Sequence, residues 1–508
     1  APGPKELMNM QRFYLYLNMT KPGEKLILSY SDTNAKGEGI SPAYLIGSIR
    51  SLYPKLEIEG GAGVRPHKNS INNYCYPENP EAGIDLFLEK LAQETEKNHE
   101  DILEQADETD AVFGELYSWY LRNPEYRSRV QKLVQSAFAG KPKDIISQSV
   151  AKALYGEVSP YSATRLERFA ACAFAHFLQY GMKLTERVEY EFKPMDMGNV
   201  MHEALESFAE EVRKRGMKWT ELTEQERNEI ADRCLDNIVA DYGNTVLKSS
   251  ARNEYMIERT RRILRRTVWA LQKQLEQGEF QPEGFEVTFG GGRIDRVDIM
   301  EDQNKVYVKV IDYKTGNTSF DLVYLYHGLQ LQLMIYLDGA LRVEQKKYPD
   351  KEIIPAGVFY YNIKDPMIQE KIDADVEAVS AGLMKELKMN GLVQADPELV
   401  YRMDSSLGSI PVAFNKDGSF RKNSSVADRT QFAVLGRYVR TKIEKIRSSI
   451  LEGDAEVSPY ELGKKNACTY CPYMTVCGFD RRLSGYEFRR LKNFSDEELW
   501  KAFDREAE

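Results

Sequence analysis

The run GGGRIDRVDIMEDQNKVYVKVIDYKTGNTSFDLVYLYHGLQLQLMIY, Gly290 to Tyr336, decides how the rest of the chain is read. Its first half alternates as two strands joined by a polar turn at Glu301–Lys305. Side chains repeat every two residues along a strand, so Val306, Val308, Val310, Asp312 and Lys314 share one face of the second strand. By the same count Asp295 shares a face with Val297 and Ile299 in the first. Two acids and a lysine thus emerge from the apolar face of a hairpin, where charge is costly unless something binds it. Downstream, Gln332 and Tyr336 lie four apart in a helical pattern and point the same way.

These residue types suit metal-dependent phosphodiester hydrolysis. Hard carboxylate oxygens favour Mg²⁺ or Mn²⁺, which polarise a phosphate and acidify a water. Lys314, one same-face step beyond Asp312, would position that water or hold the phosphate. The alternative is a surface hairpin with an ordinary Asp–Lys pair, since D-x-K triplets are common in any charged chain. What favours a site is that Asp312 and Lys314 end an apolar strand with a second acid, Asp295, on the preceding one.

Together GRIDRVD (292–298), VIDYKTG (310–316) and QLQLMIY (330–336) resemble the successive motifs of the RecB-type branch of PD-(D/E)xK nucleases. That branch also carries an upstream G-x-x-x-H, matched here by Gly198–His202. The resemblance implies an α/β fold with a mixed central sheet flanked by helices. It implies that His202, Asp295 and Asp312 are metal ligands, with the Tyr313 carbonyl a further one. Lys314 would be the catalytic lysine, and Gln332 and Tyr336 would border the site and the DNA.

Composition bounds the class. The chain has 508 residues, enough for two to four domains, and its 42% hydrophobic and 29% charged content is that of a globular protein. No apolar run approaches a membrane span, and no signal-peptide pattern opens the sequence. Six cysteines in so long a chain make no disulfide framework, which points to a reducing cytoplasm. A net charge of −9 does not advertise nucleic-acid binding, so DNA must be met by local basic patches, a metal or a partner.

Taken in order, Gln11–Tyr30 reads as a helix, a turn at Pro22–Gly23 and a strand over Leu26–Leu28. This resembles the last motif of UvrD-like helicases with its arginine lost, Thr20-Lys21-Pro22-Gly23 standing in the T-R-A-[RK] place. No G-x-x-x-x-G-K-[ST] occurs, so no ATPase activity is expected from this chain alone. Residues 1–60 are read as a degenerate helicase-like remnant, 61–157 as a helical connector and 158–508 as the nuclease domain. The connector has helical spacing at Asp85–Glu96, Asp107–Tyr120 and Pro124–Phe138, broken by a Gly/Pro/Asn-rich loop at Gly60–Pro80.

Ser162 or Thr164 caps a helix with Leu166, Phe169 and Ala173 on one face, and Cys172 sits inside it. From Gly198 a helix follows, striped by Met201, Leu205, Phe208 and Val212, with His202 beside the stripe. Arg259, Arg262 and Arg266 share a helical face that would track a DNA backbone or simply be solvated. Further expectations are a buried strand at Ile353–Ile363, a helix over Met367–Leu387 and an irregular insertion at Tyr401–Phe420 with a turn at Asp417-Gly418. A long helix at Arg429–Leu451 and a capping box of Ser495 with Glu498 complete the pattern.

Near the end, Cys468, Cys471 and Cys477 form C-x₂-C-x₅-C, three of the six cysteines within ten residues. Zinc or an iron–sulfur cluster needs a fourth ligand, and Cys172, Cys75 and Cys234 are the candidates. The strings LERFAACAFAHF and ACTYCPYMTVC are similar to those of helicase–nuclease proteins of the AddB type, where one cysteine before the nuclease and three after it hold a [4Fe–4S] cluster. That resemblance implies Cys172 as the fourth ligand, with zinc the alternative ion. It implies a DNA exonuclease acting in double-strand-break repair by homologous recombination, partnered by an ATPase-bearing helicase–nuclease subunit. A catalytically silent DNA-end binding or scaffolding subunit of the same complex is the competing expectation.

Overall fold

The computed structural model describes residues 3–30, 41, 44–56, most of 79–91, 108–137, 145–156, 162–185, 194–241, 251–290, 292–368, 375–482 and 485–507. Cys75 and the loop around it lie outside these. The chain divides into two compact units, Ala1–Glu89 and Lys90–Glu508. In the first, helices span Pro4–Thr20 and Tyr44–Leu52. The earlier helix stops ahead of Pro22, which cannot continue the i→i−4 ladder. The expected strand at Leu26–Leu28 does not form: its residues pair with no other strand among the described residues, and a strand without a partner gains no ladder bonds.

The second unit is built on a six-stranded sheet in sequence order: β1 (Gln281–Phe289), β2 (Gly292–Asp302), β3 (Lys305–Lys314), β4 (Glu352–Asn362), β5 (Asn390–Gln394) and β6 (Val426–Ala427). β1, β2 and β3 run antiparallel, β3 and β4 parallel, β4 and β5 antiparallel, and β5 and β6 parallel. A parallel pair needs a crossover, and the helix Gln332–Lys347 supplies it between β3 and β4. The sheet is therefore mixed.

Both faces are covered. One core gathers Met201, Leu205, Phe208 and Val212 from the helix Pro194–Lys214 with Ile311, Tyr313 and Met300 of the sheet. The helices Glu224–Asp241 and Ala251–Glu276 complete that layer. The other core joins Val297, Ile299, Val306, Val308 and Val310 to Leu333, Met334 and Leu337 of the Gln332 helix and to the long helix Arg429–Glu452. The hairpin alternation thus sorts side chains to opposite layers, as period two demands.

The alternation slips at one place. Ile294 shares a core with Val297 although they are three apart, so Asp295 does not simply continue the face of Val297 and Ile299. Opposite it, Glu286 takes a φ of 50° inside β1, a left-handed conformation costly for a residue with a Cβ.

Elsewhere, of the helix expected over Met367–Leu387 the segment Val376–Glu386 forms one, capped by Asp375, while 369–374 lie outside the described residues. The helix Pro397–Met403 takes the start of the supposed irregular insertion, and a Phe414–Phe420 bridge closes around Gly418 with a φ of 81°. Ser495 and Glu498 form the expected capping interaction before Asp496–Ala507. Among the described residues no helix is long and apolar enough to cross a membrane.

Candidate active site

Three elements converge at the C-terminal end of β3. That strand ends in Asp312, Tyr313 and Lys314, alongside Tyr360, Tyr361 and Asn362 of β4. β2 supplies Asp295, and the helix Pro194–Lys214 supplies His202 from beside its buried stripe. The imidazole Nε2 lies 3.1 Å from the Tyr313 carbonyl oxygen, and Nδ1 lies 3.4 Å from Asp295 Oδ2. That same Asp295 oxygen accepts the Tyr313 backbone N–H at 2.7 Å, which fixes the carboxylate against the strand.

The opposite layer closes the pocket. Gln332 Nε2 donates to Asp312 Oδ1 at 2.9 Å and to the Tyr336 hydroxyl at 2.9 Å. Its Oε1 accepts from Lys314 Nζ at 2.8 Å, while Lys314 also sits 2.5 Å from Asp312 Oδ2. The contacts form two sets, His202, Asp295 and Tyr313 in one and Asp312, Lys314, Gln332 and Tyr336 in the other, and the consecutive backbone of Asp312–Lys314 joins them.

The electrostatics of the pocket call for a cation. Asp295 is 8% exposed and Asp312 1%. Burial, then the nearby Asp312 charge, pushes Asp295 up to about 7. Burial also raises Asp312, against the pull of Lys314. Burial disfavours the charged form of His202, but Glu286, Asp295 and Asp312 outweigh it and raise its pKa. A divalent ion would replace protons as the compensating charge. An octahedral ion with bonds of about 2.1 Å sets neighbouring donors roughly 3.0 Å apart. His202 Nδ1 and Asp295 Oδ2, 3.4 Å apart, come near that spacing, and the oxygen-rich donor set suits Mg²⁺ or Mn²⁺.

Sequence reasoning misses Glu286. Phe285 pairs with Arg296 and Val287 with Ile294, which puts Glu286 opposite Asp295. Its carboxylate lies 3.8 Å from His202 Nδ1 and also pairs with Arg293. His202, Glu286 and Asp295 offer donor atoms all within 4.8 Å of one another. No local signal marks it: in FEVTF Glu286 takes a polar place of the alternation, where an acid is unremarkable.

The two acids of GRIDRVD differ in what they touch. Asp298 is held instead by Arg296 at 2.6 and 2.9 Å and by Lys309 at 3.0 Å, all three buried. The Arg296 guanidinium lies 5.7 Å from the Trp219 ring centre and 5.6 Å from that of Phe285, which stack on each other. Of the arginines read as a DNA-facing row, Arg262 pairs with Asp365, Arg266 lies over Trp269 and Arg259 is exposed.

Four cysteines meet at a second place. Cys172, Cys468, Cys471 and Cys477 line one cavity with Phe174, Ala175 and Tyr473, and all four are free thiols. Burial, then the neighbouring thiols Cys172, Cys471 and Cys477, pushes Cys468 up to about 12. Cys234 instead lies in the first core with Leu235 and Ile238. Among the described residues, no three of these sulfurs lie within 4.8 Å of one another. Tetrahedral zinc with bonds of about 2.3 Å would draw its sulfurs to roughly 3.8 Å.

Comparison with known proteins covers the same ground. The family model of the PD-(D/E)XK nuclease superfamily matches residues 160–478. Over its whole length the chain is 38% identical to the B subunit of the ATP-dependent helicase/deoxyribonuclease of Lachnoclostridium phytofermentans, covering 44% of that protein. The proteins of the same name from Alkaliphilus metalliredigens and Clostridium acetobutylicum are 32% and 31% identical over 98% of the chain, again with 44% of each covered. The chain thus spans less than half the length of these relatives.

Proposed function

This chain belongs to the PD-(D/E)XK nuclease superfamily, and from that membership we propose that it hydrolyses DNA phosphodiester bonds as the exonuclease part of an ATP-dependent helicase–nuclease. The observation that carries the proposal is that the His202–Asp295 pair and the Asp312–Lys314 pair flank Tyr313, with both carboxylates buried and close enough for the charge of Asp312 to act on Asp295. His202, Asp295, Asp312 and the Tyr313 carbonyl would hold a divalent ion, Mg²⁺ or Mn²⁺. When bound, such an ion offsets charge building on the phosphate and acidifies a water.

The side chains do the rest by placement. Gln332 takes one of the three Lys314 N–H groups and Asp312 pairs with its charge, so the ammonium keeps a donor for a phosphate oxygen or the attacking water. Gln332 holds that lysine and Asp312 with opposite ends of a single amide, so ligand and lysine keep a constant separation. Tyr336 takes up the amide's other hydrogen and locks its orientation.

The four cysteines are proposed to hold a [4Fe–4S] cluster, because all four line one cavity and C-x₂-C-x₅-C with a distant fourth cysteine is the pattern the resemblance implies. Residues 1–60 would be the tail of a helicase-like domain and 61–157 a connector, with the ATPase on a partner subunit. Double-strand-break repair by homologous recombination in the cytoplasm is the setting that such a machine implies.

The test is cleavage of end-labelled single-stranded DNA with Mg²⁺ by the chain and its Lys314→Ala variant. Digestion lost in the variant with DNA binding retained supports a nuclease. Equal digestion by both, or none by either, overturns it and leaves a DNA-end binding protein.

A further inference from the structure

The helix Gln332–Lys347 starts without a cap of its own, since Leu331 at its N-cap has no accepting side chain. The first N–H groups of a helix lack intrahelical acceptors and are costly to bury unpaired. Here a carboxylate from 164 residues upstream takes them: Glu167 Oε1 accepts from the Leu331 N–H at 2.7 Å and the Gln332 N–H at 3.0 Å. Negative charge at that end also meets the positive pole of the helix.

The residue so anchored is the one whose side chain spans Asp312, Lys314 and Tyr336. Glu167 itself touches none of those side chains through a hydrogen bond. It belongs to the helix Ala163–Ala171, which ends at Cys172. Its neighbour Arg168 reaches Cys471 Sγ at 3.9 Å and lies over the Tyr473 ring at 5.6 Å. A single short helix therefore bears on the cysteine cavity and on the start of the Gln332 helix. Burial pushes the Glu167 carboxyl up to about 7 against its two backbone donors, so the charge is held at a cost that a surface cap would not carry.

On the nuclease reading above, we infer that Glu167 is a positioning residue: it anchors the first turn of the Gln332 helix so that one amide keeps Asp312 and Lys314 in register. It joins the cysteine-bearing helix to the cleavage pocket by the same contact. A misplacement on the order of 1 Å in a reacting group costs about a hundredfold in rate.

The full chain is assayed with Mg²⁺ on a single-stranded oligonucleotide by single-turnover cleavage and equilibrium binding, with Lys314→Ala as the control. Glu167→Ala should lower the cleavage rate about 30- to 100-fold and leave DNA affinity within about twofold. Glu167→Gln should recover most of the rate, because its amide oxygen can accept the same two N–H groups. The double variant Glu167→Ala with Gln332→Ala should be no slower than Gln332→Ala, since both disturb one placement. Hydrogen exchange without metal adds an independent readout: amides of residues 331–334 should exchange faster in Glu167→Ala and unchanged in Lys314→Ala.

Wild-type rates in Glu167→Ala, multiplicative losses in the double variant, or unchanged exchange each overturn the role of Glu167 while Lys314-dependent cleavage stands. Loss of that control difference overturns the nuclease reading instead, and the inference with it. If Glu167→Ala does not fold, Glu167→Asp carries the test by withdrawing the carboxylate one methylene. A slower rate at unchanged affinity then supports the role, and an unchanged rate overturns it.

Discussion

Glu286 stands opposite Asp295 across the β1–β2 pair and adopts a left-handed backbone to do so, with a φ of 50°. Strain of that kind costs about 1–3 kcal/mol and persists where the surroundings enforce it. Here it delivers a carboxylate to the Nδ1 side of His202. Stability and metal binding should therefore part company in Glu286→Gly. The urea midpoint should not fall below wild type, because glycine accepts the conformation freely. Mn²⁺ affinity measured by calorimetry should weaken about tenfold. A large loss of stability with intact Mn²⁺ binding would make Glu286 a structural residue.

Asp298 carries the opposite expectation, a stability role with little bearing on metal. Burial would raise its carboxyl, but Arg296 and Lys309 outweigh burial and hold it below the usual range. Removing it leaves two buried cations unpaired, so Asp298→Ala should cost about 3–5 kcal/mol by urea denaturation. A depressed folded pKa stabilises the protein above the unfolded value near about 3.9 and loses that contribution as pH falls through the folded value. The stability difference between wild type and Asp298→Asn should accordingly narrow in acid. A constant difference down to pH 3 would argue against the charge as the cause.

How far these two acids could be told apart beforehand shows where reading stops. Asp312 and Lys314 are legible because they terminate an apolar strand, and Met201, Leu205, Phe208 and Val212 because they repeat at helical spacing. Both signals are local, and the sheet and its flanking layers follow from them. Asp295 and Asp298 lie three apart on one strand, and only their tertiary partners separate them, His202 and Tyr313 for the first and Arg296 and Lys309 for the second. Glu167 acquires its partner from 164 residues away, a contact no local pattern encodes. The strand expected at Leu26–Leu28 fails for the same reason, since strand propensity is realised only where a partner edge is present.

Gly198 precedes His202 by one turn, and its place is explained by a neighbour rather than by its backbone. A Cβ there would lie 3.4 Å from Thr315 Oγ1, ordinary contact with the residue following Lys314. Gly198→Ala should thus keep cleavage within about threefold, whereas Gly198→Leu has to push the helix off Thr315 and carry His202 with it. The expected loss for leucine is about a hundredfold, by the sensitivity of such sites to small displacements. Equal activity in the two variants would separate the His202 helix from the pocket.

The cysteine cavity makes the last prediction, in which composition and stability must change together. Cys172 caps one helix, Cys468 and Cys471 bracket a turn and Cys477 ends the short helix Met474–Cys477, so a group bound to all four closes a very long loop. Loop-closure entropy grows only slowly with length, but for a loop of roughly three hundred residues it reaches about 6 kcal/mol. Binding also takes the protons from Cys172 and Cys468, whose thiols burial raises. Purified protein should contain iron and acid-labile sulfide in equal amounts. Cys172→Ser should lose both, unfold at a lower temperature and cleave DNA more slowly, because the helix that ends at residue 172 also carries Glu167. Cys234→Ser, altered within the first core, should retain the iron. One equivalent of zinc with no sulfide would replace the cluster by a single ion. Iron retained in Cys172→Ser would remove that residue from the ligand set.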